Sequence, residues 1–487
     1  MTTSMSLTRR DLLRGMGAAL ASTAFATGTA RAAEPPSAVM TTLSRYMSEA
    51  ANRALPDDAI EKTKHVIIDT LAAMVSGSRL PPGQFAIRFA RLHAGENVAT
   101  VAGSNILCGP IEAALVNGLL AHSDETDDSH AFSQSHPGSS VVPATLATGE
   151  QFGIDGTRFL RAVALGYDVG PRVTIMLGRV PYMVETHRST HSIAGLFGSA
   201  AAAGCAASLN AQQMRWLLSF AAQQTSGLAS WQRDVDHIEK GFDFAGMPAR
   251  DGVTAALLVQ AGATGVDDVF SGADNFFLAF KPMNKPEVLI DQLGQRYEVT
   301  RTNIKKWTVG SPIQAPLDAL ENILKRSRFD AGQVAEVRVR VATNEASVVD
   351  NREIPDICLQ HMVAVMLVDK TVTFRSAHQT DRMKDPAILR ERAKVRLIPD
   401  EELEKRLPRR EAIVEVVLTD GTRLTDHVEN VRGTVDNPMP RAEVIAKARD
   451  LLTPVLGAAK SAKLIDTVFS LENVKDVRDL RPLIQAG

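Results

Sequence analysis

Apolar positions recur every three or four residues through the first part of the chain, and beyond about Gly272 several stretches alternate apolar with polar instead. In 56–77, Ile60, Lys64, Ile67 and Leu71 share one helical face, the lysine able to lay its methylene stem along apolar surface. Asp57 and Asp58 suit the first turn of such a helix and Gly77 suits its end. Segments 82–93, 110–122, 143–152, 155–173, 191–209, 211–228 and 248–261 follow the same period. None of this half alternates with period two, so it reads as all-helical. The 191–209 segment is rich in Gly and Ala, which lets neighbouring helices approach closely at roughly 1 kcal/mol for each interior glycine. That helix is expected at the centre of the bundle.

Beyond Gly272 the pattern changes. In 334–341, Val337, Val339 and Val341 face one way while Glu336, Arg338 and Arg340 face the other, the mark of a half-buried strand. A second strand is expected at 395–398, and a hairpin at 412–419 and 422–428, because Asp420-Gly421 favours a tight antiparallel turn. Helices are expected between them at 316–325, 357–368 and 386–392, giving an α+β unit with an antiparallel sheet over 275–434. Helical period returns at 441–456 and 459–471, and this tail is expected to pack back on the first unit. The fold class is therefore mainly α with an α+β second domain.

Composition narrows the partners. The 54 basic and 56 acidic residues leave a net charge of −2, so no general field draws the chain to nucleic acid or anionic lipid, and a small molecule is the expected partner. Cys108, Cys205 and Cys358 stand alone, which predicts buried free thiols or at most one disulfide. Residues 1–33 read as a twin-arginine signal: Thr8-Arg9-Arg10-Asp11-Leu12-Leu13, a small-residue apolar run from Gly15, and a cleavage signal near Ala32. The expectation is export to the periplasm with no stable membrane anchor.

The candidate chemistry concentrates in Asn117 to Ala144, which holds His122, Asp124, Glu125, Asp127, Asp128, Ser129, His130 and His136 between two apolar helices. Crowded carboxylates cannot all ionise freely, so one pKa rises and supplies an acid or base near neutral pH. The same residues could merely cap helix ends. A metal is also conceivable, but neither a His-Glu-x-x-His spacing nor a Cys/His set is present, so no metal is expected. No phosphate-binding glycine motif and no Gly-x-Ser-x-Gly occurs. Another candidate is His187-Arg188-Ser189-Thr190-His191, where an N-cap and Arg188 could bind a carboxylate, although the same residues could be a capped, solvated helix start. Lys240, within Asp236 to Arg250, reads on its own as a surface lysine, and so does Lys305 within Ile304 to Gln314, where a lysine, Trp307 and a Gly-Ser-Pro turn could otherwise close over an anionic ligand.

Taken in this order, the segments resemble the MmgE/PrpD family of 2-methylcitrate dehydratases and cis-aconitate decarboxylases over about residues 40–480. Asn117-Gly118, His122, Glu125, Asp127-Asp128-Ser129 and His136-Pro137 match its first motif, Phe197-Gly198 its central helix, and Arg432-Gly433 with Asn437-Pro438-Met439-Pro440 its return segment. The resemblance implies an all-helical domain from 34–274 and 435–487, a lid domain from 275–434, a homodimer and a site between the domains. It implies no cofactor, and elimination of water or carbon dioxide from a small di- or tricarboxylic acid such as 2-methylcitrate. Asp127, Asp128, His136, His191, Glu125 and Ser129 would form the acid/base group, with Asp127 and Asp128 orienting the histidines. His122, Arg188, Lys240, Lys305 and Gln314 would contact substrate. Asp124 and His130 are passed over, and Ile313-Gln314 stands where family members often have Thr-His. An isomerase or epimerase using the same proton abstraction is the alternative enzyme, and a periplasmic organic-acid binding protein the non-enzyme alternative.

Overall fold

The computed structural model describes residues 35–486, so the twin-arginine segment expected at 1–33 lies outside the described residues. The helices fall where the period places them: Asp57–Gly77, Pro81–Leu92, Pro110–Ala121, Gly156–Leu177, Thr190–Ala206, Ala211–Gln224 and Met247–Gln260. One begins earlier than expected. Gly138–Phe152 takes in Ser139 and Ser140 and leaves Pro143 inside the helix, at the loss of the bond a residue there would give Ser139. A two-residue antiparallel ribbon, β1 (Ala99–Thr100) and β2 (Leu107–Cys108), breaks the all-helical expectation for this half; strands so short leave no readable alternation.

Every residue of Thr190–Ala206 is buried. Its glycine-rich face allows a crossing with Gly156–Leu177 so close that a Cβ on Gly170 would stand 2.2 Å from the Ala194 carbonyl oxygen. This is the central helix. Around it one hydrophobic core gathers residues from Val39 to Ile304, and Met439 to Ile484 join it. The C-terminal helices Arg441–Leu456 and Ala458–Phe469 reach Asp57–Gly77 through a Lys447–Asp69 ion pair of 2.6 Å and a Lys64 Nζ bond to Phe469 O of 3.1 Å. Phe276, Leu289, Tyr297, Val299 and Ile304, from the sequence assigned above to the second unit, also pack in this first core.

A second core runs from Trp307 to Val431. It covers one face of a four-stranded sheet ordered β4-β3-β5-β6, with β3 Val334–Ala342, β4 Val395–Asp400, β5 Ala412–Leu418 and β6 Arg423–Val428. Val337, Val339 and Val341 point into the core as their alternation requires. The Asp420-Gly421 turn closes the hairpin, Gly421 taking φ +88°. The sheet is mixed rather than antiparallel, because β4 runs parallel to β3, Val337 opposite Val395. A parallel pair needs a crossover, and the helix Leu359–Asp369 lies within it. The binding-protein alternative calls for two α/β lobes with parallel sheets, which this mainly helical chain lacks among its described residues. All three cysteines are buried free thiols.

Candidate active site

Pro110–Ala121 ends at His122 and the next long helix starts at Gly138. Between them Asp124, Glu125, Asp127 and Asp128 are all buried, which is costly unless each carboxylate is paired. Each is. Asp127 Oδ2 lies 2.9 Å from His122 Nδ1, and both Asp127 oxygens lie 3.2 Å from His136 Nδ1. Glu125 accepts from Lys240 Nζ, and Lys305 Nζ donates to the Glu125 carbonyl at 2.7 Å while standing 3.4 Å from Oε2. Asp128 accepts from the Tyr167 hydroxyl and, at 3.0 Å, from Gly138 N–H. A Cβ on Gly138 would come within 2.8 Å of Asp128 Oδ2 and 2.6 Å of the Tyr167 oxygen, so glycine is what lets the helix start this close.

The lysines arrive from distant sequence. Ser129 and Asn303 exchange backbone bonds of 3.0 and 2.7 Å, which lays the strand leading to Lys305 against the loop. Lys240 precedes a π-turn, Phe242–Gly246, an irregularity often found at functional sites. That turn aims Phe244 into the histidines. Its ring stacks on His191 at 3.8 Å and 9° and on His122 at 4.7 Å, with Trp231 edge-on at 4.6 Å. His136 stands 5.2 Å from His122 and 5.4 Å from His191 between ring centres, and His237 stands 5.1 Å from His122. Thr190 Oγ1 donates to Gln134 O at 3.1 Å, tying the start of the central helix to the loop. His187 and His237 both take left-handed backbone conformations, at φ 59° and 63°, of the kind that collect at functional sites.

Charge follows from this packing. Burial alone would raise Asp127, but the His122 and His136 rings hold its carboxyl well below the usual range. Burial likewise opposes the charge of Glu125, and Lys240 and Lys305 overcome it. Burial pushes His136 down to about 4 against the pull of Asp127, and His237 down to about 3 with Lys240 adding to the push. His191 is held well below its ordinary value by burial and then by His136 and Lys240. An ionised carboxylate only accepts, so His136 carries its proton on Nδ1 and presents an Nε2 lone pair, the form of a general base. His122 Nε2, His191 Nδ1, His237 Nε2 and Trp231 Nε1 are buried with no hydrogen-bond partner among the described residues. Unpaired buried polar atoms are costly, and several around one aromatic ring mark a place built to receive a polar ligand.

Ligand atoms of His122, Glu125 and His237, and of His122, Asp127 and His136, lie within 4.8 Å of one another. These sets do not fit a cation. Glu125 is held by two ammonium groups and Asp127 by two imidazoles with Lys305 3.7 Å away, so an ion there would meet the lysines' repulsion.

Of the residues read from the sequence, Glu125, Asp127, His122, His136, His191, Lys240 and Lys305 converge. Four do not act as read. Asp128 orients no imidazole, since its oxygens turn to Tyr167 and Gly138, and burial pushes it up to about 7. Ser129 contributes its backbone to the Asn303 pairing. Arg188 stacks its guanidinium on Phe280 at 4.3 Å and pairs by backbone with Leu228, and none of its described contacts reaches the histidines. Gln314 spends its amide on a turn, donating to Trp307 O and Val309 O at 2.7 and 2.9 Å and accepting Trp307 N–H at 3.1 Å. His130, passed over by the family pattern, is buried 3.3 Å from Glu298 in a separate ionic group. His237, Trp231 and Phe244 were missed; His237 lies three residues before Lys240, a spacing that puts two side chains on one side of a helical turn.

Known proteins are similar in sequence to this chain along almost its whole length. The MmgE/PrpD N-terminal domain matches residues 41–289 and the MmgE/PrpD C-terminal domain matches 307–473. A cis-aconitate decarboxylase of Aspergillus terreus is 25% identical over 480 residues, covering 92% of this chain and 96% of that protein. A cis-aconitate decarboxylase-like protein, oryM, of Aspergillus oryzae is 26% identical over 483 residues (92% and 98%), and a cis-aconitate decarboxylase of Homo sapiens is 25% identical over 456 residues (88% and 91%).

Proposed function

Since the chain belongs to the MmgE/PrpD family, we propose that it is a lyase that removes carbon dioxide or water from a small di- or tricarboxylic acid by acid/base chemistry. The observation that carries this reading is the placement of two lysines on Glu125 and of His136 on Asp127, two residues further along the same loop. Lys240 and Lys305 supply positive charge for substrate carboxylates. His136 and His191 stand 5.4 Å apart, both against Phe244, and supply proton transfer. In decarboxylation the C–COO⁻ bond breaks, carbon dioxide leaves, and the electron pair left on carbon takes a proton from one imidazolium. In dehydration one imidazole takes the proton beside a carboxylate while the other, protonated, gives its proton to the departing hydroxyl. The lowered pKa of His136 and His191 suits this exchange, because a bound polyanion favours their protonation.

The relatives' names make cis-aconitate the first acid to test, and the family resemblance of the motifs makes 2-methylcitrate the second. Turnover of either, followed by carbon dioxide release or double-bond absorbance, and its loss in His136→Ala and His191→Ala, supports the proposal. Full activity in both variants would end it. We also read the chain as exported by the twin-arginine pathway and working as a homodimer, with a helical domain and a lid; the packing of Phe276 to Ile304 in the first core supports a division near 304 rather than 274, and near 434. Exposed apolar side chains at Val180, Val184 and Leu228 support a partner surface, which sedimentation of the purified protein tests.

A further inference from the structure

Asp124 has a partner from far along the chain. The short helix Phe374–His378 bridges the two cores: Ala377 packs in the second, Phe374 packs in the first, and the Phe374 N–H donates to Asp450 Oδ2 at 2.8 Å. His378 is thereby carried to the loop. Its Nδ1 stands 2.7 Å from the Phe374 carbonyl oxygen, and its Nε2 2.9 Å from Asp124 Oδ2 and 3.8 Å from Asp356 Oδ2. The Asp124 contact has the distance of an ion pair without the alignment of a hydrogen bond, since Nε2 makes none among the described residues. A carbonyl oxygen faces one ring nitrogen and carboxylates face the other, so both nitrogens must carry hydrogen and the ring is a cation.

What Asp124 does with that cation reaches the reaction site. Its oxygens accept Thr126 N–H at 2.9 Å and Thr126 Oγ1 at 2.6 Å, folding residues 124–126 into a tight turn. Glu125, which gathers Lys240 and Lys305, sits at the middle of that turn. The far side of the turn is held by Lys447, whose Nζ donates to Thr126 O at 2.9 Å and pairs with Asp69. Asp124 is buried and in contact with neither lysine, so without His378 its charge would stand against the low-dielectric interior with only the Thr126 groups to support it.

We propose that His378 is a positioning residue for the lyase site: its imidazolium holds Asp124, and through the 124–126 turn it fixes where Glu125 presents Lys240 and Lys305 to the substrate. The groups facing the ring are Asp124 from the loop and Asp356 from the 355–357 turn, with Glu125 and Lys240 beyond Asp356. Burial works against the charged ring, but Asp124 and Asp356 outweigh it and raise His378 to about 9. The kinetic consequence rests on the lyase reading; the charge state of the ring does not.

Three variants of the full chain test this: His378→Gln, which keeps a donor and loses the charge, Asp124→Asn, and the two combined. With cis-aconitate, His378→Gln is expected to lower kcat/KM by about 10- to 100-fold, the cost of a site displaced by about 1 Å. Wild-type turnover is expected to fall as pH rises through about 9, and that limb is expected to vanish in His378→Gln. The double variant is expected to lose no more than either single one. A folded His378→Gln with wild-type kcat/KM and an unchanged alkaline limb overturns the proposal. Proton NMR of the ring decides independently of turnover: titration near pH 9, falling in Asp124→Asn, upholds the ion pair, and titration near 6.5 overturns it. If the wild type turns over no acid while the ring still titrates near 9, it is the lyase reading that has failed and not the Asp124–His378 pairing.

Discussion

His136 meets Asp127 through Nδ1, 3.2 Å from each carboxylate oxygen. One N–H shared between two oxygens fixes the ring's tautomer and its swing, and the same carboxylate holds His122 from the other side at 2.9 Å. Replacing Asp127 with Asn turns one acceptor into a donor and lets the His136 ring take the other tautomer. The expected result is a fall in kcat of about 100- to 10,000-fold with little change in KM, read by steady-state kinetics on the substrate that the wild type accepts. A loss confined to KM would contradict the orienting role.

The two lysines should separate in their effects. The side chain of Lys240 is 18% exposed and that of Lys305 only 2%, so Lys240 is free to turn from Glu125 to a ligand while Lys305 is held by the Glu125 carbonyl. Lys240→Met is expected to raise KM for a tricarboxylate by about tenfold or more, a loss of about 1.4 kcal/mol of binding, and, because Lys305 still holds Glu125, to destabilise the protein less than the loss of Lys305 does. Lys305→Met strips charge from beside two buried carboxylates and is expected to destabilise the protein by about 3–5 kcal/mol. Equal effects of the two on unfolding would refute the division of labour.

Gln314 is expected to matter for stability and little for binding. All its amide hydrogen-bonding groups are committed to the 307–309 turn that follows Lys305. Gln314→Ala leaves buried backbone groups unpaired, at about 1–3 kcal/mol, measurable as a lower denaturation midpoint. KM for any accepted acid should stay within about threefold, and a large rise would show that the amide reaches the substrate after all.

Asp128 gives a pH signature. Burial raises its folded pKa to about 7, above the unfolded value near 3.8, so the folded state binds the extra proton. Its contribution to stability is present at low pH and is lost as pH rises through about 7. Asp128→Asn stays neutral throughout and still offers an oxygen to Tyr167 or Gly138. The difference in stability between variant and wild type should therefore grow in favour of the variant from pH 5 to pH 8, by about 2–3 kcal/mol. Thermal unfolding at the two pH values measures it, and a difference that shrinks over that range would contradict the assignment.

The sequence showed most helices because their apolar spacing is a local property, and it showed which face of β3 is buried for the same reason. It could not show that β4 runs parallel to β3, since alternation marks a face and carries no direction. Pro143 misled as a helix start because proline favours first turns, and Gly138, Ser139 and Ser140 ahead of Val141 and Val142 are residues that favour turns and helix ends. The Asp127, His136 and lysine group was legible from residue type and family motif together. Gln314 was misread because nothing in a sequence shows that an amide is already occupied. His378 left no trace at all: it lies more than two hundred residues from Asp124, outside every motif, and only the fold brings the two together.

The most direct test of the central claim is to hold the purified protein with cis-aconitate in deuterium oxide and follow the acid by NMR, beside His136→Ala. The account predicts that the wild type consumes the acid and places solvent deuterium on the carbon that loses carbon dioxide, and that His136→Ala does this at least about 100-fold more slowly. If 2-methylcitrate and citrate are run in parallel and the wild type neither transforms any of the three acids nor exchanges their carbon-bound hydrogens, or if His136→Ala keeps pace with it, the claim that this loop performs acid/base chemistry on a polycarboxylate is wrong.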